Sequence, residues 1–290
     1  MSTKTNAQML VSLKQYNKTA REPKAKKEGF KDSIAMIAYL NGFISSGLGN
    51  DVYFPPGKAP VVDNTPQVPG PGKKTKATSK VKAAVPGQRP TIHVVDILDA
   101  SGSMSGGKYK AAVTGINTGV ANLKKDTAEV DYTYTLCDFS DDIIFRETTE
   151  NLVNVEVFKG QTRGSTSLYD AIGDSVNIVK GVVKDGHKVL VNIYTDGQEN
   201  SSRRFRAHTI AGIIEELSKC GWTFTFIGTK PDVEYAQRNL KFDMSNTLVH
   251  DNTESGMEKA FFVNSVSRSA YSSKVSAGED VSTGFYKDIK

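Results

Sequence analysis

From Thr91 onward, hydrophobic and polar positions alternate between two regular periods. "TIHVVDIL" is a nearly unbroken apolar run rich in β-branched residues, which predicts a buried strand. "KYKAAVTGINTGVANLKK" then carries Ala112, Ile116, Val120 and Leu123 at helical spacing. "EVDYTYTLCDF" and "DIIFRET" predict two strands joined tightly through Ser140–Asp142. Next come a helix over "SLYDAIGDSVNIVKGVVK", a strand over "KVLVNIYTD", a helix over "FRAHTIAGIIEELSKC" and a strand over "WTFTFIGT". "DVEYAQRNL", "TLVHD" and "SGMEKAFFVNSVSR" predict a short helix, a short strand and a last helix. Strands alternating with helices of this length predict an α/β fold: a doubly wound, mostly parallel sheet with helices on both faces. From about Tyr271 the Ser- and Gly-rich sequence predicts a flexible tail over 271–290.

The first ninety residues follow another pattern. Met9, Leu10, Leu13 and Tyr16 lie at helical spacing, and Ser33 to Ile44 predicts a second helix that is apolar around most of its circumference. Its residues Ile34, Ile37, Leu40 and Ile44 are candidates for docking onto a partner protein or the following domain. Residues 55–90 hold eight of the ten prolines, which predicts an extended linker. The expected organisation is a helical arm (1–50), a Pro/Lys-rich linker (51–89), an α/β domain (90–270) and the tail. Residues 1–89 carry 15 Lys+Arg against 5 Asp+Glu, so the overall charge of +5 hides a basic arm on an acidic body. That arm could neutralise phosphates on nucleic acid, although solvated Lys-rich linkers are the commoner case. No apolar run is long enough for a membrane span, and the N-terminus lacks the apolar core of a secretory signal. These features point to a cytoplasmic protein, virion-associated if phage-encoded. Cys137 and Cys220 are too few for a disulfide framework, and both are expected to be buried thiols.

The chemistry concentrates in "DILDASGSMSGGKY". Gly102, Gly107 and Lys108 have the spacing of a phosphate-binding loop, but Tyr109 stands where a short hydroxyl should reach Mg²⁺. Asp99, Ser101 and Ser103 instead place three oxygens at alternate positions on a loop leaving a strand. Thr166, on the turn of "RGSTSLYDAIGDS", and Asp196, at the strand end of "VNIYTDGQENSS", lie in equivalent settings. Gly102, Gly164 and Gly197 give these loops room to turn. Mg²⁺ takes about six oxygens and keeps waters where the protein supplies few carboxylates.

Together these segments resemble the metal-ion-dependent adhesion site of the von Willebrand factor type A domain, Asp-x-Ser-x-Ser, then Thr, then Asp-Gly. "DFSDD", "GWTFTFIGTKPDV" and "GMEKAFFVNSVS" extend the likeness over about residues 90–272, nearer to bacterial and phage-type members than to animal adhesion proteins. The resemblance implies Mg²⁺, with Mn²⁺ as a substitute, held by Asp99, Ser101, Ser103, Thr166 and Asp196. It also implies a protein partner presenting an acidic side chain to the metal, within a multiprotein assembly. An acid at Asp96, mid-strand where the family is apolar, is a departure; Asn192 on the adjacent strand is its expected partner, and Asp96→Asn is expected to fold and keep the metal. The four histidines, His93, His187, His208 and His250, adjoin none of the five positions, and no nucleophile has an activating base, so a non-enzyme is expected. The alternatives are a nucleotide-binding protein using "GSMSGGK", or a structural component anchored by the basic arm.

Overall fold

The structure, a computed structural model, describes residues 89–287. The helical arm, the linker and the candidate docking residues Ile34, Ile37, Leu40 and Ile44 lie outside these residues. The elements run β1 (Thr91–Asp99), α1 (Gly107–Lys124), β2 (Asp131–Phe139), β3 (Ile143–Asn151), α2 (Leu168–Lys180) and β4 (Lys188–Tyr194). They continue with α3 (Ala207–Ser218), β5 (Trp222–Gly228), α4 (Lys230–Asn239), β6 (Thr247–Val249) and α5 (Glu254–Ser276). One six-stranded sheet has the order β3-β2-β1-β4-β5-β6, with β3 alone antiparallel to its neighbour. The mostly parallel, doubly wound architecture is the one the periodicity predicts.

The chain leaves β1 towards β2 on one side and returns to pair β4 on the other. The strand order therefore reverses between β1 and β4, and a crevice opens beyond their carboxyl ends, where α/β sheets bind ligands. Both strands are buried along almost their whole length, consistent with helices covering both faces.

Helix α1 lies against α5 through residues without bulk. A Cβ on Gly115 would fall 2.2 Å from the Phe261 ring, and one on Gly119 would fall 3.1 Å from Arg268 Nη1. Gly107, two turns before Gly115, stands against the Glu254 side chain in the same way. These glycines set the close approach of the two helices.

Two expectations require correction. Residues 271–287 are not a loose tail: α5 continues to Ser276, Tyr271 and Val275 are buried, and Val281 and Phe285 cover the core beyond Gly278. The apolar stripe from Met257 and Phe261 persists through Tyr271 and Val275. It is masked in sequence by Asn264, Ser267, Arg268 and Ser272, which are buried as well. Cys137 is buried, but Cys220 is exposed, because α3 ends at Ser218 and the chain turns at Gly221, with φ of 85°.

The expected Asp96–Asn192 pair exists, directly opposite across β1 and β4, with Asn192 Nδ2 donating to Asp96 Oδ1 at 3.0 Å. It is only part of a larger network. Arg268 from α5 forms a buried ion pair with Asp96, and Tyr134 donates to Asp96 Oδ2 at 2.7 Å. Arg268 also donates to the Tyr194 hydroxyl at 2.7 Å, as does Asn264 at 2.8 Å. Asp96 thus fastens α5 to the sheet. A neutral Asp96→Asn would strand a buried guanidinium, and such losses cost about 3–5 kcal/mol. The network therefore predicts a loss of stability in Asp96→Asn, where ordinary folding was expected.

Candidate metal centre

Three loops meet at the β1/β4 crevice. The first leaves β1 at Asp99, the second precedes α2 and carries Thr166, and the third leaves β4 and carries Asp196. Backbone bonds lace them together. Arg163 N donates to Ala100 O at 2.7 Å and Gly102 N to Gly164 O at 3.1 Å, joining the first two. Asn200 N and Ser201 N donate to Thr166 O at 3.0 and 3.2 Å, and the Asn200 side chain accepts from Thr166 N at 2.9 Å, joining the second and third. Gly164 has φ of 50°, and a Cβ there would collide with Asp141, so a side chain is excluded on two counts.

The five predicted positions are brought together. Ser101 Oγ lies 3.0 Å from Ser103 Oγ, which donates to Asp196 Oδ1 at 2.8 Å. A Cβ placed on Gly197 would lie 3.1 Å from Ser103 Oγ, 3.3 Å from Thr166 Oγ1 and 3.5 Å from Asp99 Oδ2. Oxygens from the first two loops therefore face one small volume beside Gly197 of the third, which the missing side chain leaves open. Asp99, Ser101, Thr166 and Asp196 are all buried. Of the three glycines expected to shape these loops, Gly164 has a positive φ and Gly197 borders the cluster of oxygens, while a Cβ on Gly102 would meet only an ordinary contact, 3.6 Å from Gly164 O. Asp96 lies three residues before Asp99 but bonds to the core network.

Neighbours that sequence reasoning missed complete the site. Thr195 donates to Asp99 Oδ2 at 2.5 Å, and Ser101 N donates to Oδ1 at 2.7 Å. Burial is the larger influence on Asp99 and, with the nearby Asp196 charge, pushes its pKa up to about 6 against these two hydrogen bonds. Glu199 accepts from Tyr169 N, Ser201 N and Ser202 N at 2.7–3.0 Å, fixing the third loop on the start of α2. Thr195 adjoins Asp196 in sequence, so its position was available as a signal. Glu199 gave none beyond its place in "DGQENSS".

Lys108 also lies here. Its ammonium forms an ion pair with Asp196 Oδ2 and donates to Asn252 Oδ1 at 2.7 Å. Glu254 packs where a Gly107 side chain would be, at the start of α1. A phosphate-binding loop would turn both the helix N-terminus and the lysine towards an anion. In this chain the lysine already faces a carboxylate of the protein itself, and the Glu254 side chain crowds Gly107, which disfavours the nucleotide reading of "GSMSGGK".

The donor set suits a hard divalent cation, with two carboxylates, three hydroxyls and no sulfur or imidazole. Among the described residues, no cluster of three or more His, Cys, Asp or Glu side chains offers an alternative metal site.

The sequence matches no protein-family model and no curated protein. Solved structures do resemble the domain. The pilus adhesin SpaC from Lactobacillus rhamnosus GG is 12% identical with a TM-score of 0.50, covering 62% of this chain and 30% of that one. The vWF domain of the pili tip protein Mfa5 from Porphyromonas gingivalis is 12% identical with a TM-score of 0.49, covering 63% of this chain and 97% of the domain. The ArnB paralog VWA2 from Sulfolobus acidocaldarius is 20% identical with a TM-score of 0.44, covering 60% of this chain and 44% of that one. The likeness to SpaC is one of fold. The chain spans less than half the length of the SpaC and VWA2 chains. In the domain described here, the five hydroxyl and carboxylate positions lie at the carboxyl edge of the sheet, next to Lys108. Among the described residues, no helix is long and apolar enough to cross a membrane.

Proposed function

We propose that the type A domain is a protein-binding module, not an enzyme, and that Asp99, Ser101, Ser103, Thr166 and Asp196 hold Mg²⁺ that bridges to an acidic side chain of a partner. The observation carrying this reading is the convergence of Ser103, Thr166 and Asp99 oxygens on the space beside Gly197. A bound Mg²⁺ would supply a coordination position able to take a carboxylate oxygen. The protein's own groups set the terms of that contact. Two carboxylates and three neutral hydroxyls leave a divalent ion short of negative ligands, which favours an acid from outside. Thr195 and the Ser101 amide hold the Asp99 carboxylate in place by its two oxygens. Thr166 is fixed through its backbone to Asn200 and Ser201, so its hydroxyl is presented by a braced loop. The fold of a pilus adhesin and a pilus tip domain accords with an interaction role.

The test is a calorimetric titration of Mn²⁺ into the full chain, with and without ATP, for the native protein, Asp99→Ala and Gly197→Ala. The reading predicts nucleotide-independent binding, weakened at least about a hundredfold in Asp99→Ala, because a buried anionic ligand is gone. Gly197→Ala should also weaken it, by placing a methyl group in the space the oxygens face. Binding only with ATP, or binding indifferent to Asp99→Ala, would contradict the reading.

A further inference from the structure

Lys108 has no place in the metal set, yet it forms an ion pair with one member. Its ammonium meets the Asp196 carboxylate, whose side chain is fully buried, while the Lys108 side chain retains 17% exposure. A second bond to Asn252 Oδ1 at 2.7 Å tethers the same nitrogen to the segment between β6 and α5. Glu254, the first residue of α5, lies against Gly107, next to Lys108 in sequence. The ammonium thus stands between a carboxylate of the crevice and polar groups at the start of α5.

We propose that Lys108 is a resident cation of the site, neutralising Asp196 in the metal-free domain and competing with the divalent ion for that carboxylate. The inference rests on the metal reading above and deepens it. Asp99 and Asp196 are two acids in one buried crevice, and the ammonium offsets part of their mutual repulsion while no other cation is there. A divalent ion drawn to the same oxygens meets repulsion from a positive charge in direct contact with one of its ligands. At such range in a buried crevice, that repulsion weakens binding by at least about tenfold. The side chain has somewhere to go: Asn252 can keep its bond, and Glu254 offers a carboxylate near the start of α1. Lys108 would then make the site a weak one, filled when divalent ion and an acidic partner act together, since both favour the displaced arrangement.

The experiment compares the full chain with Lys108→Met, Lys108→Arg and Asn252→Ala, by Mn²⁺ titration and by thermal unfolding in EDTA. Lys108→Met should bind Mn²⁺ at least about tenfold more tightly and unfold at a lower temperature in EDTA. Lys108→Arg keeps the charge and should stay within about threefold of the native affinity. Asn252→Ala removes one tether without touching a ligand and serves if Lys108→Met folds poorly; it should shift Mn²⁺ affinity by about two- to threefold in the tighter direction. Native protein that binds Mn²⁺ while Lys108→Met binds no more tightly would overturn the competition and leave the metal reading intact. Failure of every form to bind Mn²⁺ would overturn the metal reading and the competition with it. An unchanged unfolding temperature for Lys108→Met in EDTA would overturn the neutralising role.

Discussion

Strand β1 carries two buried aspartates three residues apart, and the protein treats them oppositely. Asp96 faces Arg268, Tyr134, Asn192 and Tyr194, fixed groups inside the core, and Arg268 is itself buried. Asp99 lies in a crevice with the Ser101, Ser103 and Thr166 hydroxyls and Asp196, and the cation paired there, with Asp196, is Lys108, whose side chain is partly exposed. Satisfying a carboxylate with a buried, multiply bonded guanidinium locks it into structure. Satisfying one with a partly exposed ammonium beside hydroxyl oxygens leaves it open to exchange. The contrast separates what holds the domain together from what lets it bind.

The largest expected effect breaks the first half of this contrast. Arg268→Met should destabilise the domain by about 3–5 kcal/mol, because it leaves Asp96 buried without its cation. Urea denaturation would measure this, and a loss under about 1 kcal/mol would mean that the hydrogen bonds from Tyr134 and Asn192 suffice alone.

The second effect belongs to Asp99 and concerns pH. Its folded pKa, about 6, lies above the ordinary carboxylate value, so the folded domain binds its proton more tightly than the unfolded chain does. The associated stability is present below about pH 4 and is lost as pH rises through 6, up to about 3 kcal/mol in total. Carboxylates held low, such as Asp142 and Asp170, act in the opposite sense, losing their contribution as pH falls. The measurement is therefore a difference: metal-free Asp99→Asn should gain on the native protein as pH rises from 4 to 7.5. A difference that stays flat would place Asp99 in a more solvated setting than the crevice provides.

A smaller effect sharpens the local geometry. Thr195→Val removes one of the donors to the Asp99 carboxylate and should cost about 1–2 kcal/mol in metal-free protein. Chemical denaturation at pH 7.5 checks it, and no loss would mean that water replaces the hydroxyl.

Much of this was legible in the sequence for a physical reason. Strands β1, β4 and β5 are buried on both faces and so read as mostly apolar runs, and the candidate ligands stand at the ends of the elements these runs define. The end of the chain was not legible, because α5 buries Asn264, Ser267, Arg268 and Ser272 among its apolar residues, and Asn264, the Arg268 Nη2 group and Ser272 find their partners only in the folded state. Arg268 is 172 positions from Asp96, and Lys108 is 88 from Asp196, so neither pairing leaves a local pattern. Lys108 even misled: its spacing from Gly102 suggested a phosphate loop, whereas the fold turns it towards an acid. The Cys220 error arose from a helix end, since two residues decide whether that thiol faces core or solvent.

The most direct test of the central claim is a crystal of the full chain grown with Mn²⁺ and measured for anomalous scattering. The account predicts one strong peak beside Gly197, within coordination reach of Asp99, Ser101, Ser103, Thr166 and Asp196, with the Lys108 ammonium moved away from Asp196. A peak elsewhere, or a clear map at that position with Lys108 still bound to Asp196 at saturating Mn²⁺, would contradict it.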